Sequence, residues 1–351
     1  MKNTKIRVGI THGDINGIGY EVIIKTLLDD RIFELCTPII YGSPKVAAYH
    51  RKALNIESFS LNNIKEAHEA HPNRTNIINC VDENVKVELG KSTRTAGESA
   101  FKSLEAAIAD LQKGLIDVLI TAPINKKNIQ SKNFKFPGHT EYLESKLNSG
   151  KSLMLLISDK LRVGVVAGHV PISKVPEMIT KENIISKLNI LNTSLQMDFG
   201  IRKPRIAVLS LNPHAGDQGL IGTEEIDVII PALEEVREKG MMALGPYPAD
   251  GFFGSSDYVN FDAILAMYHD QGLAPFKALA FDSGVNFTAG LSKIRTSPAH
   301  GTAYSIAGAN VASQKSFQQA LYMAIDVFRN RQNFEEINKN PLKSSDISKN
   351  S

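Results

Sequence analysis

The stretch FDAILAMYHDQGLAPFKAL, Phe261 to Leu279, closes an apolar run on a histidine and an aspartate, with a lysine a few residues further on. The run reads as a buried strand or a short helix, and a His-Asp pair directly behind it is polar chemistry placed where a core element stops. Two other stretches repeat the arrangement. RVGVVAGHVP sets His169 behind an apolar strand, and RIAVLSLNPHAGDQG sets His214 behind another. Each histidine is followed within a few residues by Pro or Gly, the residues that turn a chain. Strands that end this way predict an α/β sheet with its ligand chemistry gathered at the carboxyl edge of the strands.

The rest of the chain fits that class. IRVGIT, TPIIYG and DVLITAP read as buried strands, and SLMLLISDKLRVGVVAGH as a strand pair. GYEVIIKTLLDD, RTAGESAFKSLEAAIADLQKG, TEEIDVIIPALEEVREKG and SFQQALYMAIDVFRNR read as helices, the second stopping at Gly114. Alternation of apolar strands with amphipathic helices implies a mostly parallel sheet covered on both faces. A length of 351 residues favours two domains, and a 42% hydrophobic share supplies their cores. A net charge of +3 without a dense basic block argues against nucleic acid. Two cysteines, Cys36 and Cys80, outside any CxxC suggest a reducing compartment. The opening MKNTKIRVGITHGD carries no apolar stretch of a signal peptide, and no segment approaches a membrane span of roughly 20 residues, so a soluble cytoplasmic protein is expected. NFEEINKNPLKSSDISKNS predicts a polar, frayed tail.

Three neutral imidazoles brought to one point make a divalent-metal site, such as Zn²⁺ with an open fourth position. His169, His214 and His269 are the candidates, with Asp217, Asp250 and Asp270 as carboxylates that could orient the imidazoles or the substrate. Anion handling is the second theme. Lys277 follows the His-Asp pair, and GVNFTAGLSKIRTSPAHGTA carries Asn286, Lys293, Arg295 and His300 amid Gly, Ser and Thr, a composition that predicts a binding loop. His139 and Thr140 precede a helix whose N-terminus favours an anion. In THGDINGIGYE, Gly13, Gly17 and Gly19 are spaced GxxxGxG rather than GxGxxG, so they predict a tight strand-to-helix turn that brings backbone close to a ligand, not a Rossmann fingerprint.

GITHGDINGIGYE, TAPINK, PGHTEYL, LNPHAGDQGLIGTEE, PYPAD, YHDQGLAPFK and GVNFTAGLSKIRTSPAHGTA together resemble the 4-hydroxythreonine-4-phosphate dehydrogenases of vitamin B6 synthesis, over nearly the whole chain to about residue 330. The resemblance implies the isocitrate/isopropylmalate dehydrogenase-like fold: two α/β/α domains with the active site in the cleft between them. By that analogy the first domain comprises residues 1–125 plus 275–330, the second 126–274 with the dimer contacts, and 331–351 is a tail. It implies that His169, His214 and His269 bind a divalent metal, zinc before magnesium or cobalt. His139, Thr140, Lys277, Asn286 and Arg295 would hold the phosphorylated substrate, with Asp250, Asp270 and Lys277 in catalytic roles. It further implies a homodimer whose metal site is completed across the interface. HGTAYSIAGANVAS is similar to the adenine-cradling loop of the decarboxylating dehydrogenases, which implies NAD near His300, Gly301 and Thr302. The family's first motif reads GDPAGIGPE; here Ile15 and Asn16 stand for Pro-Ala and Tyr20 for the second Pro.

The reaction so implied is NAD-linked, metal-dependent oxidation of 4-phosphooxy-L-threonine and decarboxylation to 3-amino-2-oxopropyl phosphate, with Asp270 and Lys277 both open as general base. Alternatives from the residues are a sister dehydrogenase of 4-phospho-D-threonate or 4-phospho-D-erythronate, a metal-dependent hydrolase, and a non-catalytic metabolite-binding protein.

Overall fold

The structure is a computed structural model and describes residues 5–82, 84–147 and 150–340. Twelve strands form one sheet: β1 (Ile6–Thr11), β2 (Cys36–Gly42), β3 (Asn62–Ile64), β4 (Asn76–Asn79), β5 (Val118–Thr121), β6 (Leu153–Ile157), β7 (Arg162–Ala167), β8 (Arg205–Leu209), β9 (Met242–Tyr247), β10 (Ala263–Tyr268), β11 (Val285–Ala289) and β12 (Ile294–Pro298). Their spatial order is β3-β4-β2-β1-β5-β12-β11-β6-β7-β10-β8-β9. From β3 to β12 neighbours are parallel, and from β7 to β9 they are parallel again. Between these blocks β11 and β6 are antiparallel to each other, β11 to β12 and β6 to β7, so strand direction reverses in the middle of the sheet.

Eight longer helices cover the faces: α1 (Gly19–Leu27), α2 (Pro44–Ala53), α3 (Arg94–Gln112), α4 (His139–Leu147), α5 (Lys181–Met197), α6 (Ile230–Glu238), α7 (His269–Ala280) and α8 (Lys315–Asn338). Their starts are written locally. The side chains of Ser43, Thr93 and Thr180 accept from Val46 N, Ala96 N and Asn183 N, satisfying backbone donors that the first helical turn leaves free. Helix α3 stops where Gly114 takes φ +71°, a left-handed C-terminal turn in which a Cβ would be strained. The central strands are buried on both faces, Val8, Ile10, Val118 and Ile120 having no exposure, which is why they read as continuous apolar runs.

Three expectations are corrected here. The segment after Tyr268 is helix α7 from its first residue rather than the turn its Gly and Pro suggest, so His269, Asp270 and Lys277 share one helix. Gly272 and Pro275 argue against a helix, costing about 1 and about 3 kcal/mol in an exposed one. Burial of Leu273 and Phe276, each contributing about 2–3 kcal/mol, offsets that, and Gly272 lies so near β7 that a Cβ would meet Val163 at 2.8 Å. The supposed binding loop from Gly284 to Pro298 is the buried antiparallel pair β11–β12, with Asn286 opposite Ser297. The tail expected from residue 331 begins as helix, because α8 runs on to Asn338; residues 341–351 lie outside the described residues. No helix among the described residues is long and apolar enough to cross a membrane.

Candidate active site

A cleft of about 300 Å³ lies over the middle of the sheet, and its floor follows from strand register. Side chains alternate between faces along a strand, and directly paired residues share a face. Leu156 pairs with Asn286, which pairs with Ser297; Met154 pairs with Thr288 two residues along. Ile120 pairs with Thr296, so Thr121 falls in line with Ser297, and Arg295 lies on the same face two residues from Ser297. The site is thus built on the face of the sheet where strand direction reverses. This corrects the expectation of a site along the carboxyl edge alone: loops from strand ends supply only the walls.

His169 follows β7, and His269 follows the adjacent strand β10, which pairs with β7 in parallel. Their rings lie 5.8 Å apart, centroid to centroid. His269 Nδ1 sits 2.6 Å from Asp270 Oδ1. A carboxylate there holds the ring proton on Nδ1 and leaves Nε2 as a free lone pair, the arrangement a metal-ligating imidazole needs. The His169 pKa is lowered by burial first, then by the Lys126 charge, which keeps a neutral, ligating ring available.

His214 is not brought to this pair. It is exposed on Pro213–Gly219, where five consecutive residues, His214 to Gln218, take φ between +44° and +79°. Left-handed backbone costs about 1–2 kcal/mol for each residue bearing a Cβ, so this loop persists only because it is pinned. Buried Glu225 pins it, accepting from Leu211 N and Asn212 N at 2.8 Å each and from the Asn212 side chain. Among the described residues no three His, Cys, Asp or Glu side chains are grouped to hold a metal. Asp217 and Asp250 are exposed and do not line the cleft.

The cations are sharply different from one another. Arg295 is 3% exposed, and its guanidinium donates to Thr121 Oγ1 from Nε (3.0 Å) and Nη2 (2.7 Å), to Thr288 Oγ1 (3.3 Å) and to His139 Nδ1 (3.2 Å). Four of five N–H groups are therefore spent inside the protein, leaving one for a ligand. Burial pulls its pKa down to about 10, still well above neutrality. Because arginine can only donate, His139 Nδ1 must accept, which puts the His139 proton on Nε2. That Nε2 is buried and has no partner, and burial followed by the Arg295 charge holds the ring neutral. The Asn286 amide oxygen and His300 Nε2 are likewise buried without partners. Lys277 lines the cleft from α7, and Thr140 from the first turn of α4.

Lys126, Glu141 and Thr121 line the same cleft, and the sequence reading passed over all three. TAPINK signalled that stretch, but nothing in its pattern distinguishes Lys126 from the neighbouring Lys127. The glycine-rich turn also does something other than expected. Its glycines bring backbone against backbone: a Cβ on Gly13 would meet Pro123 O at 2.3 Å, and one on Gly17 would meet Thr302 O at 2.7 Å. The loop His300–Thr302 lies against that turn, with His300 and Gly301 also lining the cleft.

Residues 34–324 match the family model described as pyridoxal phosphate biosynthetic protein PdxA. The chain belongs to the PdxA family. Within it, the chain is 60% identical over 345 residues to a 4-hydroxythreonine-4-phosphate dehydrogenase of Bacteroides thetaiotaomicron, covering 98% of this chain and 94% of the relative. A relative from Oceanobacillus iheyensis with the provisional name D-threonate 4-phosphate dehydrogenase is 37% identical over 324 residues, covering 91% of this chain and 97% of its own. The crystal structure of a 4-hydroxythreonine-4-phosphate dehydrogenase from Klebsiella pneumoniae superposes with a TM-score of 0.81 at 32% identity, covering 93% of this chain and 98% of that one. The PdxA relatives so named are oxidoreductases, and the fold is theirs.

Proposed function

We propose that the protein oxidises 4-phosphooxy-L-threonine at C3 with NAD, giving 2-amino-3-oxo-4-phosphooxybutanoate, which decarboxylates to 3-amino-2-oxopropyl phosphate for pyridoxal 5'-phosphate synthesis. The observation that carries this reading is a single cleft in which the paired imidazoles of His169 and His269 face Arg295, Lys277 and the unpartnered Nε2 of His139. Two imidazoles with one ring fixed by Asp270 fit a divalent cation, zinc before magnesium or cobalt. His214 and Asp250 would come from a second copy of the chain. The strained loop that holds His214 outward supports this, as do exposed apolar side chains on and beyond it, Leu220 at 83% and Val259 at 68%. The protein is then a homodimer with shared sites. Free Cys36 and Cys80 suit a cytoplasmic location. By the same resemblance the proposed domains are 1–125 with 275–330, and 126–274, a boundary that falls within helix α7.

A cation held by His169 and His269 would supply Lewis acidity toward the C3 oxygen, and NAD held at His300, Gly301 and Thr302 would supply the two-electron oxidant. The chain does the rest. Arg295 gives its remaining N–H to one anionic oxygen, His139 Nε2–H gives a directed hydrogen bond beside it, and the Asn286 amide oxygen accepts from a donor of the substrate. Lys277 and Lys126 add mobile positive charge for the phosphate and carboxylate. The alcohol proton goes either to Asp270, which is engaged with His269, or to Lys277, which lines the cleft and can take it only as the free amine. His300, Gly301 and Thr302 receive the nucleotide.

The deciding experiment follows NADH formation with 4-phosphooxy-L-threonine, 4-phospho-D-threonate and 4-phospho-D-erythronate, each with and without chelator. Rapid, chelator-sensitive turnover of the first is expected; faster turnover of either other substrate, or no NADH from any, overturns the assignment. His139→Ala should raise KM for the phosphorylated substrate by about 10–100-fold, the worth of a hydrogen bond to a charged group. His139→Gln, which keeps an N–H near the Nε2 position, should recover part of that loss. Equal KM values for the two variants would show that the His139 proton does not meet the substrate.

A further inference from the structure

The loop after β12 is in a conformation it would not hold alone. Ala303 takes φ +44°, a left-handed backbone unusual for alanine, immediately after the His300–Thr302 segment. Two anchors bracket that residue. On one side, Thr302 O accepts from Ile18 N at 3.1 Å, and Gly17 allows this approach because it has no Cβ. On the other side, the Tyr304 hydroxyl donates to Asp14 Oδ2 at 2.7 Å. Both anchors belong to the turn between β1 and α1, nearly three hundred residues away in sequence.

Asp14 is built to hold this position. It is 1% exposed, its Oδ1 accepts from Asn16 N at 2.8 Å within its own turn, and its Oδ2 also accepts from the Asn128 side chain at 2.8 Å. Asn128 in turn lies 3.4 Å from the Tyr304 hydroxyl, so the carboxylate, the amide and the phenol close a ring of contacts. Three donors on one buried carboxylate leave it no need of a ligand. Burial first, and the hydrogen bond to Asp14 after it, push the Tyr304 phenol up to about 12, so it remains a donor throughout the working pH range. None of these groups reaches the substrate cleft, which distinguishes them from the residues above.

We propose that the Asp14–Tyr304 hydrogen bond is a latch that preforms the His300–Thr302 loop for the nucleotide, making Asp14 and Tyr304 positioning residues for NAD. The inference rests on the reading that this loop takes the nucleotide. With the latch closed, the loop meets the cofactor already in its left-handed turn; without it, binding must also order the loop, and affinity falls by the unlatched fraction.

Tyr304→Phe keeps the ring and removes the bond, and Asp14→Asn keeps the shape and replaces the charged acceptor. Each should raise KM for NAD by about tenfold. KM for the phosphorylated substrate should rise less, by about threefold at most, since only His300 and Gly301 of the cleft lining belong to the latched loop. Amide hydrogen exchange of residues 299–308 should accelerate in the Tyr304→Phe protein relative to the strands beneath it. Unchanged exchange there overturns the latch, and faster exchange with an unaltered KM for NAD overturns its positioning role. A parallel rise in both KM values with a fall in stability makes the pair merely structural and overturns it too. Wild-type protein that reduces no NAD with any of the three substrates instead sinks the nucleotide reading, while the exchange measurement still reports on the latch.

Discussion

His269→Ala should lower NAD-linked turnover by about a thousandfold or more, since a cation of this kind contributes several kcal/mol to the developing charge. The variant keeps its strand and loses one of two imidazoles 5.8 Å apart, so Asp270 has nothing to orient and His169 is left alone. Its metal content should fall with its activity, and residual turnover should no longer respond to chelator. A variant that retains both metal and rate overturns the site. His214→Ala should behave the same way although its side chain stands outside the cleft. The shared-site reading then makes a sharper demand. Mixed and re-equilibrated, His169→Ala and His214→Ala chains form heterodimers in which one of two sites carries neither change. Random pairing therefore predicts recovery of about a quarter of the wild-type rate from two inactive proteins. No recovery from subunits shown to exchange would place all ligands on one chain.

Stability should fall steeply between pH 6.5 and pH 4. His12 and His50 are buried, at 0% and 2% exposure, and stack on opposite sides of Tyr20 with centroid distances of 5.2 and 5.0 Å. Burial is the main cause that lowers both to about 4, from 6.5. The folded state thus binds fewer protons than the unfolded chain throughout that window, so the associated stability is present above pH 6.5 and is lost as pH falls toward 4. Each proton is worth about 1.4 kcal/mol per pH unit at full slope, so the pair should cost on the order of 2–3 kcal/mol per unit in mid-window. Urea midpoints at pH 7, 6 and 5 measure this, and His50→Phe should halve the slope. A flat profile would mean that these rings are charged or solvated in the folded protein. Tyr20, which stands where the family motif has proline, is what fills the space between them.

The sequence displayed the fold class because buried parallel strands are apolar along their whole length and the capping residues are local. It displayed the cleft's chemistry because histidines directly after strands are conspicuous. Three things depended on distant contacts and were hidden. Helix α7 forms against its own Gly272 and Pro275 because packing on β7 outweighs propensity. Asn286 and Arg295 sit in a segment of loop-like composition because a strand pair in the sheet's centre tolerates small polar residues that line a site. His214 fits the same local pattern as its two counterparts, and only the five left-handed residues that follow from Glu225's grip turn it away. Arg295 was recognised as a cation, but its role as the group that fixes the His139 tautomer could be read only from distances.

The reversal of strand direction at β12, β11 and β6 also governs mechanics. Both outer blocks are joined through antiparallel ladders rather than through a flexible linker, so the cleft floor is a continuous beam of backbone hydrogen bonds. Swinging the blocks apart as rigid bodies would break those ladders. The compliant coordinate is torsion about the strand axes, which tilts the cleft walls while leaving the spacing of floor residues nearly constant. Arg295 and Asn286, on the paired strands β12 and β11, are tied by that ladder to one separation, whereas His269 and Lys277 stand on the wall helix α7.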